Sequence, residues 1–249
     1  MTAHLVILPI IIPLLGGLLM LLPPFAGPEK YQYRRVAAAC LILAQLICSI
    51  VLMLSVITTG PTLYAVGDWQ PPFGIILYAD LLSVMLVVLA GFLGLGVTIY
   101  SFSGIDRDGK YFHPLIQFQL LGIYGAFLTN DLFNLFVFFE VLLIASYTLL
   151  MHGEGKQKTA ANMHYVILNL IGSSLFLFVL GTLYGITGTL NIPDMAVKVA
   201  QLSPSNQLIA QAGGSLLLVV FGLKSAMLPL HFWLPRTYAA ASAPVAALF

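Results

Sequence analysis

Long apolar stretches recur along this chain, separated by short polar connections. They cover residues 5–22, 36–57, 81–102, 114–128, 132–151, 164–186 and 208–230, and another begins near Pro244. About 20 mostly apolar residues carry a helix across a bilayer, so each of these seven stretches predicts a span. The fourth is the shortest. None alternates with a period of two, and all are too long for barrel strands. The pattern predicts an all-α polytopic membrane helical bundle of about seven transmembrane helices. The run from Pro244 would start a further helix.

Composition agrees. Of 249 residues, 60% are hydrophobic and 8% charged, and mean hydropathy is +1.00. A soluble domain carries about 25% charged residues. The net charge of +1 leaves no nucleic-acid footprint. No connection is long enough to house a catalytic ectodomain or nucleotide site. The first apolar run lacks a basic leader and a small-residue cleavage site, so it reads as a retained span. Cys40 and Cys48 lie eight apart in one run, about 12 Å along a helix, too far to bridge each other. They read as packing residues, and no metal-ligand spacing occurs.

The charges are informative by position. Lys30, Arg34 and Arg35 follow span one, Arg107 and Lys110 follow span three, and Lys156 and Lys158 follow span five. The alternate connections hold Lys198 alone. Basic connections stay cytoplasmic, so the N-terminus is expected outside. The outer connection from Gly60 through Trp69, Pro71, Pro72 and Gly74 excludes a long helix.

Two ionisable residues stand within the apolar runs. Glu140 lies near the centre of Asp131-Leu132-Phe133-Asn134-Leu135-Phe136-Val137-Phe138-Phe139-Glu140-Val141-Leu142-Leu143-Ile144-Ala145-Ser146-Tyr147. A charge at that depth costs about 2.5–3.5 kcal/mol on insertion scales and needs a partner, a proton or water. Its own helical face offers little polarity besides Tyr147. Lys224 sits in Gly222-Leu223-Lys224-Ser225; a buried lysine can be neutral in one state and charged in another. Proton or ion movement is the leading reading. A static ion pair is the alternative for Glu140, and snorkelling to the interface for Lys224. Pro229 and Pro235 predict an interrupted seventh span, of the kind that marks ion paths in transporters. A plain helix end at Pro229 is the other reading. If the helix continued, His231 would share the Lys224 face at i+7 and suit a proton relay. Tyr165, Asn169, Gly172 and Ser173 form a polar stripe on span six, either lining a hydrated route with Ser225 or packing helices together. Asp80 and Asp131 sit at outer span ends, where capping competes with cation gathering at an entrance. His4, His113 and His152 read as interfacial, and His164 heads span six.

The Glu140 stretch resembles the fifth helix of the proton-translocating antiporter-like subunits. These include the D subunit of Mrp-type sodium/proton antiporters and the large membrane-arm subunits of respiratory complex I. Leu183-Tyr184-Gly185-Ile186-Thr187-Gly188-Thr189-Leu190-Asn191 looks like the end of their sixth helix. His231-Phe232-Trp233-Leu234-Pro235 looks like their seventh-helix break. Arg236-Thr237-Tyr238 after that break, and Val-Leu-Leu-Ile-Ala-Ser-Tyr after Glu140, are similar to the Mrp branch. The resemblance implies proton-path roles for Glu140 and Lys224, with His231 as a motif residue. It implies a single membrane domain over 1–249, with N-terminal helices in 1–112 and the first half-channel repeat in 113–249. Family members carry two inverted halves, so the second is expected to be missing here and the chain to be a fragment. By resemblance the function is monovalent cation/proton exchange, with Na+ the cation, in a bacterial-type cell membrane. Partners would be other membrane subunits of a hetero-oligomer, and no cofactor is implied. The rivals are a proton-translocating component of a complex I-like oxidoreductase or membrane hydrogenase, and a non-transporting scaffold.

Overall fold

The computed structural model describes residues 2–22, 30–70, 73–153 and 156–249. Pro71, Pro72 and the connection at 23–29, on which part of the loop reading rests, lie outside the described residues.

Seven helices match the seven apolar runs: α1 Leu8–Leu21, α2 Tyr31–Thr59, α3 Leu81–Ser101, α4 Phe112–Leu128, α5 Leu132–Leu150, α6 Lys156–Thr187 and, after a short α7 at Ile192–Ala200, α8 Pro204–Lys224. Five are long and apolar enough to cross a membrane, and α1 and α4 are shorter apolar helices. The chain is a polytopic helical membrane bundle. Then come a 3-10 turn at Leu230–Phe232, α9 at Trp233–Ala240 and α10 at Ala243–Leu248.

α4 is the hub of the first half of the bundle. It packs against α1, α3 and α5. Phe112, Ile116, Leu120, Tyr124 and Leu128 are all at most 1% exposed, and even its Gln117 and Gln119 are buried. Gly122 lets α5 approach closely: a Cβ there would stand 2.9 Å from the Phe138 carbonyl oxygen. Small residues at such crossings allow backbone contact. A second core forms where Leu132, Phe176, Leu180 and Val220 meet between α5, α6 and α8.

Both ends of the bundle carry structure that hydropathy alone does not predict. At one end, Thr62–Ala65 (β1) pairs antiparallel with Ile76–Ala79 (β2), where the sequence showed no alternation. The hairpin edge holds the α4–α5 turn through Asn130 N–H to the Ile76 carbonyl (3.0 Å), and Leu132 N–H reaches the Leu190 carbonyl (2.9 Å). Asp80 caps α3 through Ser83. α7 was not anticipated: nine residues are too short to span, and its Asp194 pairs with Lys198 at 2.9 Å.

At the opposite end, Asp106 accepts two hydrogen bonds from Arg35, at 2.6 and 2.5 Å, and contacts His113 Nε2 at 3.1 Å. Arg34 donates to the Lys110 carbonyl at 2.6 Å. His152 meets the Ile105 carbonyl at 2.6 Å. His113 and His152, expected at the interface, are therefore buried parts of a polar clamp joining α2, α4 and the α5–α6 connection. Burial favours the neutral form of Asp106, but the Arg35 guanidinium and His113 more than offset this and hold its carboxyl below the usual carboxylate range.

Span seven ends earlier than expected. α8 stops at Lys224, not near Leu230. Met227 N–H bonds the Gly222 carbonyl (2.8 Å) and Ala226 N–H the Leu223 carbonyl (3.2 Å), with Ala226 left-handed at φ 52. This is a Schellman closure. Pro235 falls in the first turn of α9, where its missing N–H breaks no bond.

Candidate ion-translocation site

Three helices bring the charged residues together. Glu140 is half-buried on α5, Ser173 is buried on α6, and Lys224 closes α8. The Ser173 hydroxyl donates to Glu140 Oε1. Lys224 Nζ donates to the Ser173 oxygen at 3.3 Å. Glu140 and Lys224 are thus joined through one hydroxyl rather than by a direct ion pair. Lys224 Nζ also stands 5.3 Å over the Phe139 ring, which favours a cation there.

Local sequence explains each placement. The Schellman closure leaves Lys224 on the last helical residue, where the helix dipole favours a positive charge. Trp233 then donates its indole N–H to the Leu223 carbonyl at 3.0 Å, fixing the broken backbone beside the lysine. Broken helices at membrane depth persist only where such partners or water satisfy them. Aromatic rings of Phe139, Phe176 and Phe221 pack against one another around the same point.

Beside Lys224 lies a cavity of about 230 Å³, bordered by Gln119, Phe139, Tyr165, Asn169, Trp233 and Tyr238 among others. Tyr165 and Asn169 come from the same stripe as Ser173. Tyr165 OH lies 3.1 Å from Ser146 Oγ, and Asn169 donates to the Tyr165 carbonyl at 3.0 Å. Tyr147 packs its ring 5.4 Å from that of Tyr165. Ser225 lines the rim and donates to the Phe221 carbonyl at 2.7 Å.

Two expected residues stand elsewhere. His231 occupies the 3-10 turn, not the Lys224 helix, so the i+7 relationship is lost with the helix. Its Nδ1 is buried without a partner and it does not border the cavity. Asp131 is 8% exposed and caps α5, accepting from Asn134 N–H at 2.8 Å. Burial pushes its carboxyl above the usual range, against those backbone bonds. It is a helix cap inside a turn, not an open entrance. Among the described residues, no group of three or more His, Cys, Asp or Glu converges on a metal-sized site.

Residues 129–249, which contain all of α5 to α10, match the family described as NADH:quinone oxidoreductase/Mrp antiporter, TM. Over 99% of its length the chain is 44% identical to the D subunit of the Na+/H+ antiporter of Alkalihalophilus pseudofirmus, covering 49% of that protein. Residues 129–249 are similar to this family's membrane segment, and the chain as a whole resembles the Mrp antiporter D subunits. It is also 41% identical, over 99% of its length and 46% of the relative, to the D subunit of a probable K+/H+ antiporter of Rhizobium meliloti. Among solved structures, the Mrp complex from Dietzia sp. aligns over 100% of this chain and 45% of the matched one, with a TM-score of 0.86 and 27% identity. The membrane-bound sulfane sulfur reductase, an archaeal respiratory membrane complex, aligns over 97% of this chain and 49% of its own, with a TM-score of 0.87 and 28% identity. The chain spans about half the length of the curated relatives it matches.

The sequence did not single out Gln119, Trp233 or Tyr238 around the cavity. Gln119 had a readable signal: it is a polar residue inside an apolar span. Trp233 and Tyr238 follow the break and become cavity walls only because α9 folds back against α6.

Proposed function

We propose that the protein is the proton-carrying membrane component of an Mrp-type monovalent cation/proton antiporter. The Glu140–Ser173–Lys224 chain is the observation that carries this reading. A serine hydroxyl accepts and donates at the same time. A proton leaving Lys224 for the Ser173 oxygen is matched by one passing from that hydroxyl to Glu140. Lysine loses its proton readily when desolvated, and Glu140 is the acceptor that the hydroxyl already faces. The cation is Na+ in this reading, as in the name of the A. pseudofirmus relative; the name of the R. meliloti relative makes K+ the competing choice. The protein works in a cell membrane beside other membrane subunits. The end carrying Arg34, Arg35, Arg107 and Lys110 faces the cytoplasm, by the positive-inside rule.

The likeness to a respiratory complex supports a second reading, in which redox chemistry on other subunits drives the same proton path. The two readings differ in what energises transport. In inverted vesicles carrying the natural gene product within its assembled complex, Glu140→Ala should abolish Na+-driven proton movement while assembly is normal. Undiminished exchange would refute the proton-path role. Proton movement that follows electron donors instead of Na+ would favour the second reading.

A further inference from the structure

A groove between α6 and α9 has no part in the relay described above. Its volume is about 470 Å³, and Ala160, Ala161, His164, Arg236, Ala239 and Ala240 border it. The alanines leave the room, and the two nitrogen-rich side chains stand at its edge. A guanidinium stays charged in a protein, and Arg236 is exposed. Among the described residues the ion pairs are made by Arg35, His113 and Lys198, and Arg236 has none. The His164 ring packs 5.9 Å from that of Phe232, just before α9.

The depth of this groove follows from the length of α6. Its 32 residues make a rod of about 48 Å at about 1.5 Å per residue, against a hydrocarbon core of about 30 Å. The helix begins at Lys156, and its apolar run begins only at His164. Its first two turns therefore reach past the core, at the end where His152 meets the Ile105 carbonyl. That is the end proposed above to face the cytoplasm. Side chains at the level of His164 meet lipid headgroups. Toward the core, the same face of α6 continues with Ile167 and Ile171, both exposed, at the spacing that keeps residues on one side of a helix.

We propose that this groove binds an anionic phospholipid of the cytoplasmic leaflet, with its phosphate on Arg236 and His164 and an acyl chain along Ile167 and Ile171. Guanidinium forks match phosphate oxygens, and basic pockets between membrane helices on the cytoplasmic side suit anionic headgroups. A zwitterionic lipid brings its own cation to the same place and gains less. An acidic segment of another protein would satisfy Arg236 too. The apolar strip that runs on from the groove into the core favours a ligand with both a charged head and a hydrocarbon tail. The bound phosphate ties α9 to α6, and α9 carries the Trp233 indole that fixes the break in span seven.

The test uses the natural gene product in its assembled complex, in neutral detergent, with phosphatidylglycerol carrying a photoactivatable acyl chain. Peptide mapping should find the label on the α6 segment that holds Ile167 and Ile171. Unlabelled phosphatidylglycerol should displace it, while phosphatidylcholine and glycerol phosphate displace it poorly. Arg236→Gln should weaken binding about fivefold, the effect of about 1 kcal/mol for one basic residue at a lipid surface. Arg236→Lys should restore most of it, which a packing role for the long side chain would not require of charge. Unchanged labelling in Arg236→Gln overturns the proposal. Equal displacement by phosphatidylcholine removes the anionic preference, and equal displacement by glycerol phosphate reduces the site to one for bare phosphate; either overturns it. Loss of a neighbouring subunit in Arg236→Gln with labelling intact assigns the groove to a protein partner instead. The readout is binding, so none of these outcomes bears on the proton path through Glu140 and Lys224.

Discussion

A charge inside a bilayer persists only where something answers it, and in this bundle a single hydroxyl answers two. Ser173 accepts from Lys224 and donates to Glu140. The geometry is more informative than either charged residue alone, because a direct contact would lock the pair while an intervening hydroxyl can pass a proton by rotating. Ser173→Ala is therefore expected to cut Na+-driven proton movement by about a hundredfold, the lower end of the range for a positioned proton-transfer group. Ser173→Thr should keep most of the rate. Initial rates in inverted vesicles with matched assembly check both. Full activity in the alanine variant would mean that Glu140 and Lys224 exchange protons by another route.

At the scale of elements, the break in span seven decides where the lysine sits. The proline residues announce an interruption, and the interruption exists. Its position is not legible, because the stop is made by hydrogen bonds closing over Ala226 rather than by Pro229. Glycine is the residue that marks such a closure in a sequence, and alanine in its place carries no signal. A left-handed alanine costs about 1–2 kcal/mol. Ala226→Gly should therefore stabilise the fold by about 1 kcal/mol, less the extra freedom glycine gives the unfolded chain, as read by thermal unfolding in detergent. A destabilised variant would contradict the closure. Glu140, Lys224, Tyr165, Asn169 and Ser173 were legible because polarity inside an apolar run has few innocent explanations. The placement of His231 was not, since it depended on a helix continuing past Lys224. The hairpin and α7 were hidden for another reason: four-residue strands and a nine-residue surface helix are too short to leave a periodic pattern.

The bundle is fastened at both ends. One end is held by backbone bonds between the hairpin, the α4–α5 turn and the approach to α7. The other is held by the Arg35–Asp106–His113 clamp. Asp106 titrates below an ordinary carboxyl in the folded state. Its contribution is therefore complete above the unfolded value of about 3.9 and is lost as pH falls toward the lower folded value. Asp106→Asn should cost about 3–5 kcal/mol, the range for removing one partner of a buried pair. Its stability should also lose this acid dependence. Unfolding midpoints measured from neutral pH downward test both points; parallel curves for wild type and variant would contradict the clamp. Between these fastened ends lie the Glu140–Ser173–Lys224 chain and its cavity, beside the break in span seven.

Proton loading at Lys224 is tested most directly by Lys224→Arg in the natural gene product, with Na+-driven proton movement followed in inverted vesicles. A guanidinium keeps the positive charge and does not deprotonate in a protein. Strong impairment with normal assembly is the predicted result. Exchange at the wild-type rate would contradict it, leaving Lys224 a fixed charge and not a carrier.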